Sequence, residues 1–448
     1  MDEMTVFTRR DTFKAGLGAL AGTTLLGRGA LADIPVADVK APDLPIEKGA
    51  TLRVLRPTKF VAPDEEVFRA NTERFAKETG VPVRVDFAGW EDLRPQTAVS
   101  ANTGAGADVI VGWADDPHIY ADSLVPLDDI TDYLGKKYGG WYPLVEKYGR
   151  DKRNGTWISM PMGASGGPLV YRSSWVKEAG FEQVPTDLDG FLKLCQALQK
   201  TGHPAGFALG NAVGDGNGFC SWLLWSHGGF MADEQGKVAI NSKETIAALK
   251  YAQELYKTFI PGTLAWLDTN NNKALSSGEI GLTQNGVSLY FSIKNSQDPA
   301  TKAIAADLDH ARMPIGPAGR NTEVGLVVNA MVFKHTKFPN AAKQYLRFMM
   351  EKEQYDPWLS GCLGYWTQPL QAYENSAVWT SDPKIKVYKD TWKVGLWHGY
   401  KGPISEASGA VNADYVLVQM FSSVCAGQAT PEEAAAEAER RAKRYYKT

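Results

Sequence analysis

Three short strands decide the fold of this chain: Thr51-Leu-Arg-Val-Leu55, Val81-Pro-Val-Arg-Val-Asp-Phe87 and Gly106-Ala-Asp-Val-Ile-Val-Gly112. Between the first two, residues 65–79 show the apolar spacing of a helix and end at Gly80, a residue typical of helix C-caps. Strands that alternate with helices predict a parallel sheet with helices on its faces. Ligands of such sheets bind outside the carboxyl ends of the strands, so the residues that follow these strands are the first candidates for a site.

The strand ends carry aromatic and acidic side chains. Pro57–Phe60 follows the first strand, Gly89-Trp90-Glu91-Asp92 the second, and Trp113-Ala114-Asp115-Asp116 the third. Indole faces can cover the C–H faces of a sugar, and carboxylates accept charge-assisted hydrogen bonds from its hydroxyls. The pattern predicts a site for a polyhydroxy ligand. The alternative is that the tryptophans pack in the core and the acids cap helices.

The composition is that of a large globular protein. The 448 residues are 44% hydrophobic and 22% charged, which excludes a disordered or collagen-like chain, and their number predicts two or three domains. The 51 acidic and 48 basic residues nearly cancel, so nothing indicates a nucleic-acid binder. Four cysteines and six histidines lack the spacing of a disulfide scaffold or a metal site. We therefore expect neither a metal nor a cofactor.

Residues 1–32 have the features of a cleavable export signal. A polar start with Arg9-Arg10 precedes an uncharged stretch from Ala15 to Gly27, and Ala30-Leu-Ala32 is the small-x-small pattern that a signal peptidase accepts. The paired arginines resemble a twin-arginine signal. An ordinary secretion signal is the alternative, because Thr12 stands where a twin-arginine signal usually has an aromatic residue or leucine. Either route predicts a soluble protein in the periplasm.

Residues 33–50 contain three prolines and little periodicity, so we expect a flexible leader. An oxidising compartment permits disulfides, but a protein exported in folded form does not need them, and cysteine pairing stays open. Cys195 lies in an apolar helical pattern and is expected to be a buried thiol.

The chain beyond residue 150 continues the alternation of strands and helices. Leu169-Val-Tyr171 and Phe207-Ala-Leu209 are predicted as strands, and a glycine-rich loop over residues 210–218 leads into an apolar segment. Residues 242–257 have the spacing of an amphipathic helix, and the segment 279–290 is rich in strand-forming residues. The predicted fold class is therefore α/β.

Several motifs stand in the order of one known family. They are Leu124-Val-Pro-Leu-Asp128, Gly155-Thr-Trp-Ile-Ser-Met-Pro161, Glu178-Ala-Gly-Phe181, Asn285-Gly286 and Pro314-Ile-Gly-Pro317. Each motif is short, but their order along most of the chain resembles family 1 of the bacterial extracellular solute-binding proteins, the carbohydrate-loading subunits of ABC importers.

The resemblance implies a two-lobed type II periplasmic binding protein with discontinuous lobes and a hinge. The first lobe would comprise residues 51–165 and 326–372, and the second lobe residues 166–325 and 373–448. A small carbohydrate or polyol would be clamped between the lobes, and closure would present both lobes to a membrane permease. The protein would act as a monomer and without a catalytic step.

The resemblance also implies where a ligand would lie. Carbohydrate-binding members stack the sugar on aromatic side chains from both lobes, and Ser165 would face the cleft at the first hinge crossing. Core packing is the alternative role for Trp222 and Trp225, which are three residues apart. The predicted ligand-binding residues are Lys59, Trp90, Glu91, Asp92, Trp113, Asp115, Ser165, Trp222, Trp225, Tyr365, Trp366 and, as weaker choices, Trp397 and His398.

These observations predict a subunit that captures a neutral sugar or polyol for ABC import. An anionic glycerol or sugar derivative is the second candidate ligand, because Arg56, Lys59 and Arg320 could receive its charge. A receptor that reports its ligand to a membrane sensor would show the same sequence features.

Two motifs that resemble enzyme or calcium-binding motifs lack the neighbouring residues that those motifs require. Gly163-Ala-Ser-Gly-Gly167 fits G-x-S-x-G, but Pro168 and an apolar strand follow where a nucleophile elbow requires a helix. Asp268 begins a calcium-loop template that has Lys273 where the turn requires glycine. The remaining enzyme candidate is a periplasmic glycoside-acting enzyme. It needs two carboxylates about 5–9.5 Å apart, and no such pair is identifiable from the sequence.

Overall fold

The structure is a computed structural model that describes residues 34–447. The predicted export signal, with its paired arginines and its cleavage site before Asp33, lies outside the described residues. From residue 34 to residue 447, none of the helices combines the length and the apolar character needed to cross a bilayer.

Eight strands in this part of the chain form two sheets. The first sheet has the strand order β2-β1-β3-β8-β4, and the second has the order β6-β5-β7. In chain order the strands are β1 (Leu52–Pro57), β2 (Val83–Ala88), β3 (Val109–Trp113), β4 (Met160–Ser165), β5 (Leu169–Arg172), β6 (Leu282–Gln284), β7 (Leu308–Ala311) and β8 (Leu326–Val332).

The first sheet is mixed. β1 pairs in parallel with β2 and β3, whereas β8 runs antiparallel to β3 and β4. The prediction of a parallel sheet is therefore confirmed for the three strands that decide the fold. It does not extend to β8, the strand that brings the chain back from the second sheet.

The second sheet is antiparallel and smaller than the sequence predicts. The predicted strand Phe207–Leu209 is wrong, because the bridging residue there is Ala205 and the ring of Phe207 instead stacks on Phe219 in the core. In the segment 279–290, strand structure is limited to β6, and a helix begins at Val287. Outside β6, the apolar residues of these segments are buried by side-chain packing and are not paired in strands. Composition alone does not distinguish these two kinds of buried segment.

Helices cover both sheets. α1 ends as predicted at Gly80, whose φ of 75° suits glycine and whose N–H donates to the Ala76 carbonyl. Short 3-10 turns lie at Ala121–Ser123, Thr263–Ala265, Gln371–Asn375 and Pro383–Asp390. The α-helices are α1 (Ala62–Thr79), α2 (Leu93–Thr103), α3 (Asp116–Ile119), α4 (Asp128–Lys137), α5 (Pro143–Gly149), α6 (Ser173–Glu178), α7 (Leu188–Lys200), α8 (Asp215–Ser226), α9 (Lys243–Tyr256), α10 (Asn270–Ser276), α11 (Val287–Lys294), α12 (Pro299–Asp307), α13 (Pro339–Met350), α14 (Lys352–Gly361), α15 (Val378–Ser381), α16 (Thr391–Val394), α17 (Glu406–Ala413), α18 (Val416–Cys425) and α19 (Pro431–Ala442).

We call the part of the chain around the first sheet the first lobe, and the part around the second sheet the second lobe. α1, α4, α13 and α14 pack together in the first lobe, and α8, α9, α18 and α19 in the second. The chain leaves β4 at Ser165, enters β5 at Leu169, and returns between β7 and β8. The later turn Pro383–Asp390 packs on β7. The lobe boundaries at residues 165, 325 and 372 stay predictions.

The segment 34–50 is packed against the first lobe, although its composition predicts a flexible leader. The side chain of Ile34 is buried, and the Gln344 amide donates to the Leu44 carbonyl. The Glu47 carboxylate accepts the backbone N–H groups of Asn340 and Ala341 at 2.8 and 3.1 Å. These N–H groups lie in the first turn of α13 and have no partner within the helix, so the segment caps α13 and is held in place.

The four cysteines are free thiols. Cys195 is buried in α7, which confirms the predicted buried thiol. Burial raises the pKa of this thiol, so Cys195 stays neutral and packs as a small apolar side chain.

His310 on β7 is a histidine that folding keeps neutral. Its ring meets Tyr290 and Tyr388 edge-on at 5.4 and 5.1 Å. Neither ring nitrogen has a hydrogen-bond partner among the described residues. Burial lowers the pKa of His310 to about 4, below the value of about 6.5 that a histidine has in an unfolded chain.

Replacing His310 by phenylalanine should reduce the loss of unfolding free energy that occurs between pH 7 and pH 4. Between pH 6.5 and pH 4, His310 binds a proton in the unfolded chain but not in the folded protein. Its contribution to the free energy of unfolding is therefore fully present above this range and is lost as the pH falls through it. The shift in pKa corresponds to about 3 kcal/mol. Urea unfolding at pH 7 and pH 4 measures this loss. An equal loss in wild type and H310F would contradict the prediction.

Candidate functional site

A cleft lies between the lobes, where the chain crosses from β4 to β5. Its cavity volume is about 40 Å³, room for a few water molecules in this arrangement of the lobes. Both lobes contribute to it, so a molecule bound there would contact both. The lining residues are Phe60, Trp90, Ser165, Gly166, Gly167, Val213, Gly214, Asp215, Gly218, Asp268, Gln284, Asn285, Gly286, Ser288, Val324, Leu326, Tyr365 and His398.

Aromatic side chains form the first-lobe wall of the cleft. Phe60 meets Trp90 edge-on at 4.4 Å, and Trp90 lies 4.6 Å from Trp113 behind it. The indole N–H of Trp90 donates to the Thr58 carbonyl at 2.8 Å, which leaves no free polar atom on this ring. Trp90 therefore contributes an oriented apolar ring to the lining of the cleft.

The lobes approach each other closely at Gly286. A Cβ atom at this position would collide with the hydroxyl of Ser165 and would lie 3.2 Å from the ring of Tyr365. Only glycine allows this approach. Ser165 and Tyr365 thus meet the second lobe at the floor of the cleft.

Of the acidic side chains that line the cleft, Asp268 accepts the most hydrogen bonds. Its carboxylate accepts three backbone N–H groups at the start of α8, from Val213 at 2.8 Å, Gly214 at 3.0 Å and Asp215 at 2.7 Å. Burial raises the pKa of Asp268 to about 6, against the effect of these three bonds. The calcium-loop template that contains Asp268 is thus a loop whose acid caps a helix.

Two buried polar atoms in the lining have no protein partner among the described residues. They are Oε1 of Gln284 and Nδ1 of His398, in side chains that are 4% and 5% exposed. The other end of Gln284 donates to the Gly167 carbonyl at 2.8 Å. An unsatisfied buried polar atom costs free energy, and a ligand hydroxyl in the cleft would relieve that cost.

The paired acids at the end of β3 have different surroundings. Asp116 accepts two bonds from the guanidinium of Arg94, at 2.9 and 3.1 Å. Asp115 is fully buried, and its Oδ2 has no protein partner among residues 34–447. Asp116 is thus bound to arginine, and Asp115, the predicted ligand-binding residue of the pair, lies outside the cleft lining.

Asp115 belongs to a buried polar cluster next to His398. Unpartnered polar atoms of the described chain also occur here on Arg94, Tyr148 and Tyr446. Burial, and then the charge of Asp115, raises the pKa of both tyrosines. Burial lowers the pKa of His398, while the charge of Asp115 opposes this shift. His398 therefore connects the cleft to a second group of polar atoms between the lobes.

Of the predicted ligand-binding residues, Trp90, Ser165, Tyr365 and His398 line the cleft. Trp113 and Trp366 do not reach it, because both are buried beneath the lining, Trp113 behind Trp90 and Trp366 against Gly163.

The charged first-lobe candidates point outward. Lys59 pairs with Glu65 at 2.9 Å on the surface, and Glu91 and Asp92 are exposed. Glu91 still acts on the site, since its negative charge contributes to the raised pKa of Asp268. Charged side chains stay hydrated when they point into solvent. The rule that ligands bind at the carboxyl ends of parallel strands does not predict which charged side chains there point into the cleft.

The second-lobe tryptophans pack in the protein interior. Trp222 donates to the Pro314 carbonyl at 2.9 Å, and Trp225 meets Tyr400 edge-on at 5.8 Å. Trp397 donates to the Gly402 carbonyl at 2.7 Å, outside the cleft. Core packing, the alternative role for Trp222 and Trp225, is therefore the observed one, because α8 is buried on all sides.

Most of the second-lobe lining lies outside the set of predicted ligand-binding residues. Asp215, Asp268 and Gln284 were not among the predicted site residues, although two signals pointed to them. The glycine-rich loop before α8 leaves helix N–H groups open for a ligand or an acid, and Asn285-Gly286 follows Gln284 in a motif of the resembled family.

The cleft lining contains no lysine or arginine in the described part of the chain. Arg56 is buried against Asp64 at 2.6 Å, and Arg320 is exposed near Tyr400. The three cations that could receive an anionic ligand therefore lie elsewhere.

A family model of the bacterial extracellular solute-binding proteins matches residues 70–387. A probable ABC transporter-binding protein of Deinococcus radiodurans is 24% identical over 207 residues, which are 44% of this chain and 47% of that protein. The chain thus spans about half the length of the curated relative it matches.

Solved structures match almost the whole fold. A sugar transporter from Arthrobacter chlorophenolicus A6 with bound laminaribiose has a TM-score of 0.77 at 16% identity, over 89% of this chain and 100% of that one. An ABC transporter solute-binding protein from Agrobacterium radiobacter K84 in complex with ribitol has a TM-score of 0.73 at 19% identity, over 88% and 98%. At these identities the likeness shows the fold, and it confirms the predicted two-lobed periplasmic binding protein.

The family match covers more than two thirds of the sequence and contains the crossing from β4 to β5, β8 and most of the cleft lining. The resemblance drawn from the order of short motifs is thereby confirmed. The chain belongs to the bacterial extracellular solute-binding proteins.

Proposed function

We propose that this protein is the periplasmic solute-binding subunit of an ABC importer and that it captures a neutral sugar or polyol between its lobes. One observation carries the proposal. The cleft combines the apolar ring of Trp90 with the unpartnered buried polar atoms of Gln284 and His398, and its lining has no lysine or arginine in the described chain. A molecule with C–H faces and many hydroxyls, and without a negative charge, suits these groups.

Capture would proceed without a chemical step. The first lobe supplies Phe60, Trp90 and Ser165, and the second lobe supplies Asp215 and Gln284. A ligand that contacts both sets favours the closed arrangement of the lobes, because only closure brings all contacts together. The closed pair of lobes would then be the form that a membrane permease recognises, with the binding protein as a monomer.

A glycoside-acting enzyme is less well supported by the same residues. Such an enzyme needs one carboxyl as acid and a second carboxylate free to act as nucleophile or base. Asp268 already accepts three backbone N–H groups, which engage three of the roughly four acceptor sites of a carboxylate, and Asp215 lies on the same side of the cleft at the start of α8. Neither position provides acids on opposite sides of a sugar bond.

The ligands of the similar structures agree with this proposal. The Arthrobacter protein holds laminaribiose and the Agrobacterium protein holds ribitol, a neutral disaccharide and a neutral polyol. We propose the same chemical class here. The export signal predicted at residues 1–32 supports the periplasm as the site of capture.

A calorimetric titration panel tests the proposal. Ribitol and laminaribiose represent neutral ligands, and glycerol 3-phosphate represents the anionic alternative. We expect a neutral compound to bind and to change the tryptophan fluorescence, because Trp90 lines the cleft. Binding of the phosphate alone, or no binding of neutral sugars and polyols at millimolar concentration, would contradict the proposal. Turnover of a glycoside by the purified protein would overturn its non-catalytic part.

A further inference from the structure

The two acids that line the cleft are held in different ways. Asp268 accepts three backbone N–H groups, from Val213, Gly214 and Asp215, at 2.7–3.0 Å. Several N–H donors stabilise a carboxylate in its charged form. Three N–H groups at and just before the first residue of α8, where an anion is favoured, are thus already used by Asp268.

Asp215 has a single donor. Its Oδ2 accepts the Asn271 amide at 2.7 Å, the one hydrogen bond that this carboxyl makes within residues 34–447, and the residue is partly exposed at the cleft. Asn271 also donates to the Gln284 carbonyl at 3.0 Å, so the amide is shared. A carboxylate with one shared donor, beside a second carboxylate, is poorly stabilised as an anion.

The titratable groups around this pair provide no positive charge. Burial lowers the pKa of His398, so its ring is neutral at pH 7, and burial raises the pKa of Tyr365 and of Tyr415. The exposed Glu91 adds a further negative charge that acts on Asp268. No neighbouring cation therefore supports two ionised carboxylates in the described cleft.

We propose that Asp215 and Asp268 hold one proton at neutral pH, carried by Asp215, so that the cleft offers its ligand a carboxylic acid O–H at Oδ1. The proposal rests on the proposed function, because it concerns the ligand cleft itself. The unpartnered atoms of Gln284 and His398 in the same lining, both at least nine-tenths buried, independently indicate that a ligand completes this site.

The charge balance supports this assignment. Burial, and then the charge of Asp268, raises the pKa of Asp215 well above its usual range. With one proton on the pair, Asp215 donates to an oxygen atom of the ligand, and the site selects neutral hydroxyl, ether or carbonyl groups. With both acids ionised, the cleft would favour an organic cation instead. The proton thus determines the charge class of the ligand.

Infrared spectroscopy of the ligand-free protein tests the proton directly. The difference between wild type and Asp215→Asn at pH 7 should contain the C=O stretching band of a carboxylic acid. The matched variant Asp92→Asn removes an exposed carboxyl of the same cleft region, and its difference spectrum should contain carboxylate bands only. A D215N difference with carboxylate bands only would overturn the proposal.

A second measurement applies if D215N does not fold. Carbon-13 NMR of wild type labelled at the aspartate carboxyls should show a carboxyl carbon that is still in its acid form at pH 7. Aspartate signals that are all ionised at pH 7 would overturn the proposal.

Ribitol titrations at pH 7 and pH 9 test the effect on the ligand. D215N replaces the titrating acid by an amide that stays neutral, so we expect its affinity for ribitol to be independent of pH between 7 and 9. Above the pKa of Asp215 the wild-type affinity should fall by roughly tenfold per pH unit while that of D215N stays constant. The two proposals fail separately. An acid band without binding of any neutral compound overturns the proposed function, and neutral binding without the band overturns the proton on Asp215.

Discussion

Replacing Trp90 by alanine should weaken binding of the neutral ligand by about 1–3 kcal/mol, roughly 5- to 150-fold in Kd. Trp90 provides an apolar face on the first-lobe wall, and its ring is oriented by Phe60, by Trp113 and by the bond to the Thr58 carbonyl. Truncation removes both the face and its orientation. Calorimetric titration with the sugar or polyol identified by the ligand panel measures the effect.

Trp175 supplies the matched control for this variant. It is a partly buried tryptophan of the second lobe that stacks on His203 at 3.7 Å, away from the cleft. Trp175→Ala removes the same side chain and should leave the affinity unchanged. Equal losses in both variants would show a general effect on folding, and an unchanged affinity in W90A would remove Trp90 from the site.

Replacing Arg56 by methionine should lower the free energy of unfolding by about 3–5 kcal/mol. The side chains of Arg56 and Asp64 are only 3% and 2% exposed, and they pair at 2.6 Å between β1 and α1. Methionine keeps much of the apolar volume but leaves the Asp64 carboxylate buried with the Trp358 indole N–H as its remaining side-chain donor. Urea unfolding at pH 7 measures the loss.

Arg53 on the same strand provides the control. It pairs with Asp86 at 2.6 Å, but the two side chains are 52% and 21% exposed. Solvent screens such a pair, so Arg53→Met should cost less than about 1 kcal/mol. Similar losses in R53M and R56M would contradict the role of burial in this prediction.

Local patterns determined much of the first lobe. β1, β2 and β3 were predictable because apolar runs bounded by turn residues alternate with helical spacing, and short-range interactions set both. Gly80 ends α1 for the same local reason. The segment 34–50 shows the limit of this reasoning. Its prolines correctly indicate a segment without regular structure. Its position, however, depends on hydrogen bonds from the first turn of α13, almost 300 residues later, to the Glu47 carboxylate.

The aromatic candidates show the same limit at the site. Trp90 and Trp113 both follow a strand, and the rule for parallel sheets treats them alike. The structure separates them, because Trp113 is fully buried and supports Trp90, which faces the cleft. Trp222 and Trp225 fill the interior of the second lobe for a similar reason. Residue type predicts that an indole is buried, but not on which side its partners lie.

By itself, the sequence determined the fold class, the family and the kind of chemistry: an α/β protein, motifs in the order of the solute-binding proteins, and aromatic and acidic residues at strand ends. Only the tertiary structure decided which of these residues form the cleft. Asp215, Asp268 and Gln284 enter it from segments that are distant in sequence, and their roles depend on which hydrogen-bond donors reach them. Burial and hydrogen bonding are properties of the folded chain. For this reason Asp268 caps a helix, whereas Asp215 is the proposed hydrogen-bond donor to the ligand.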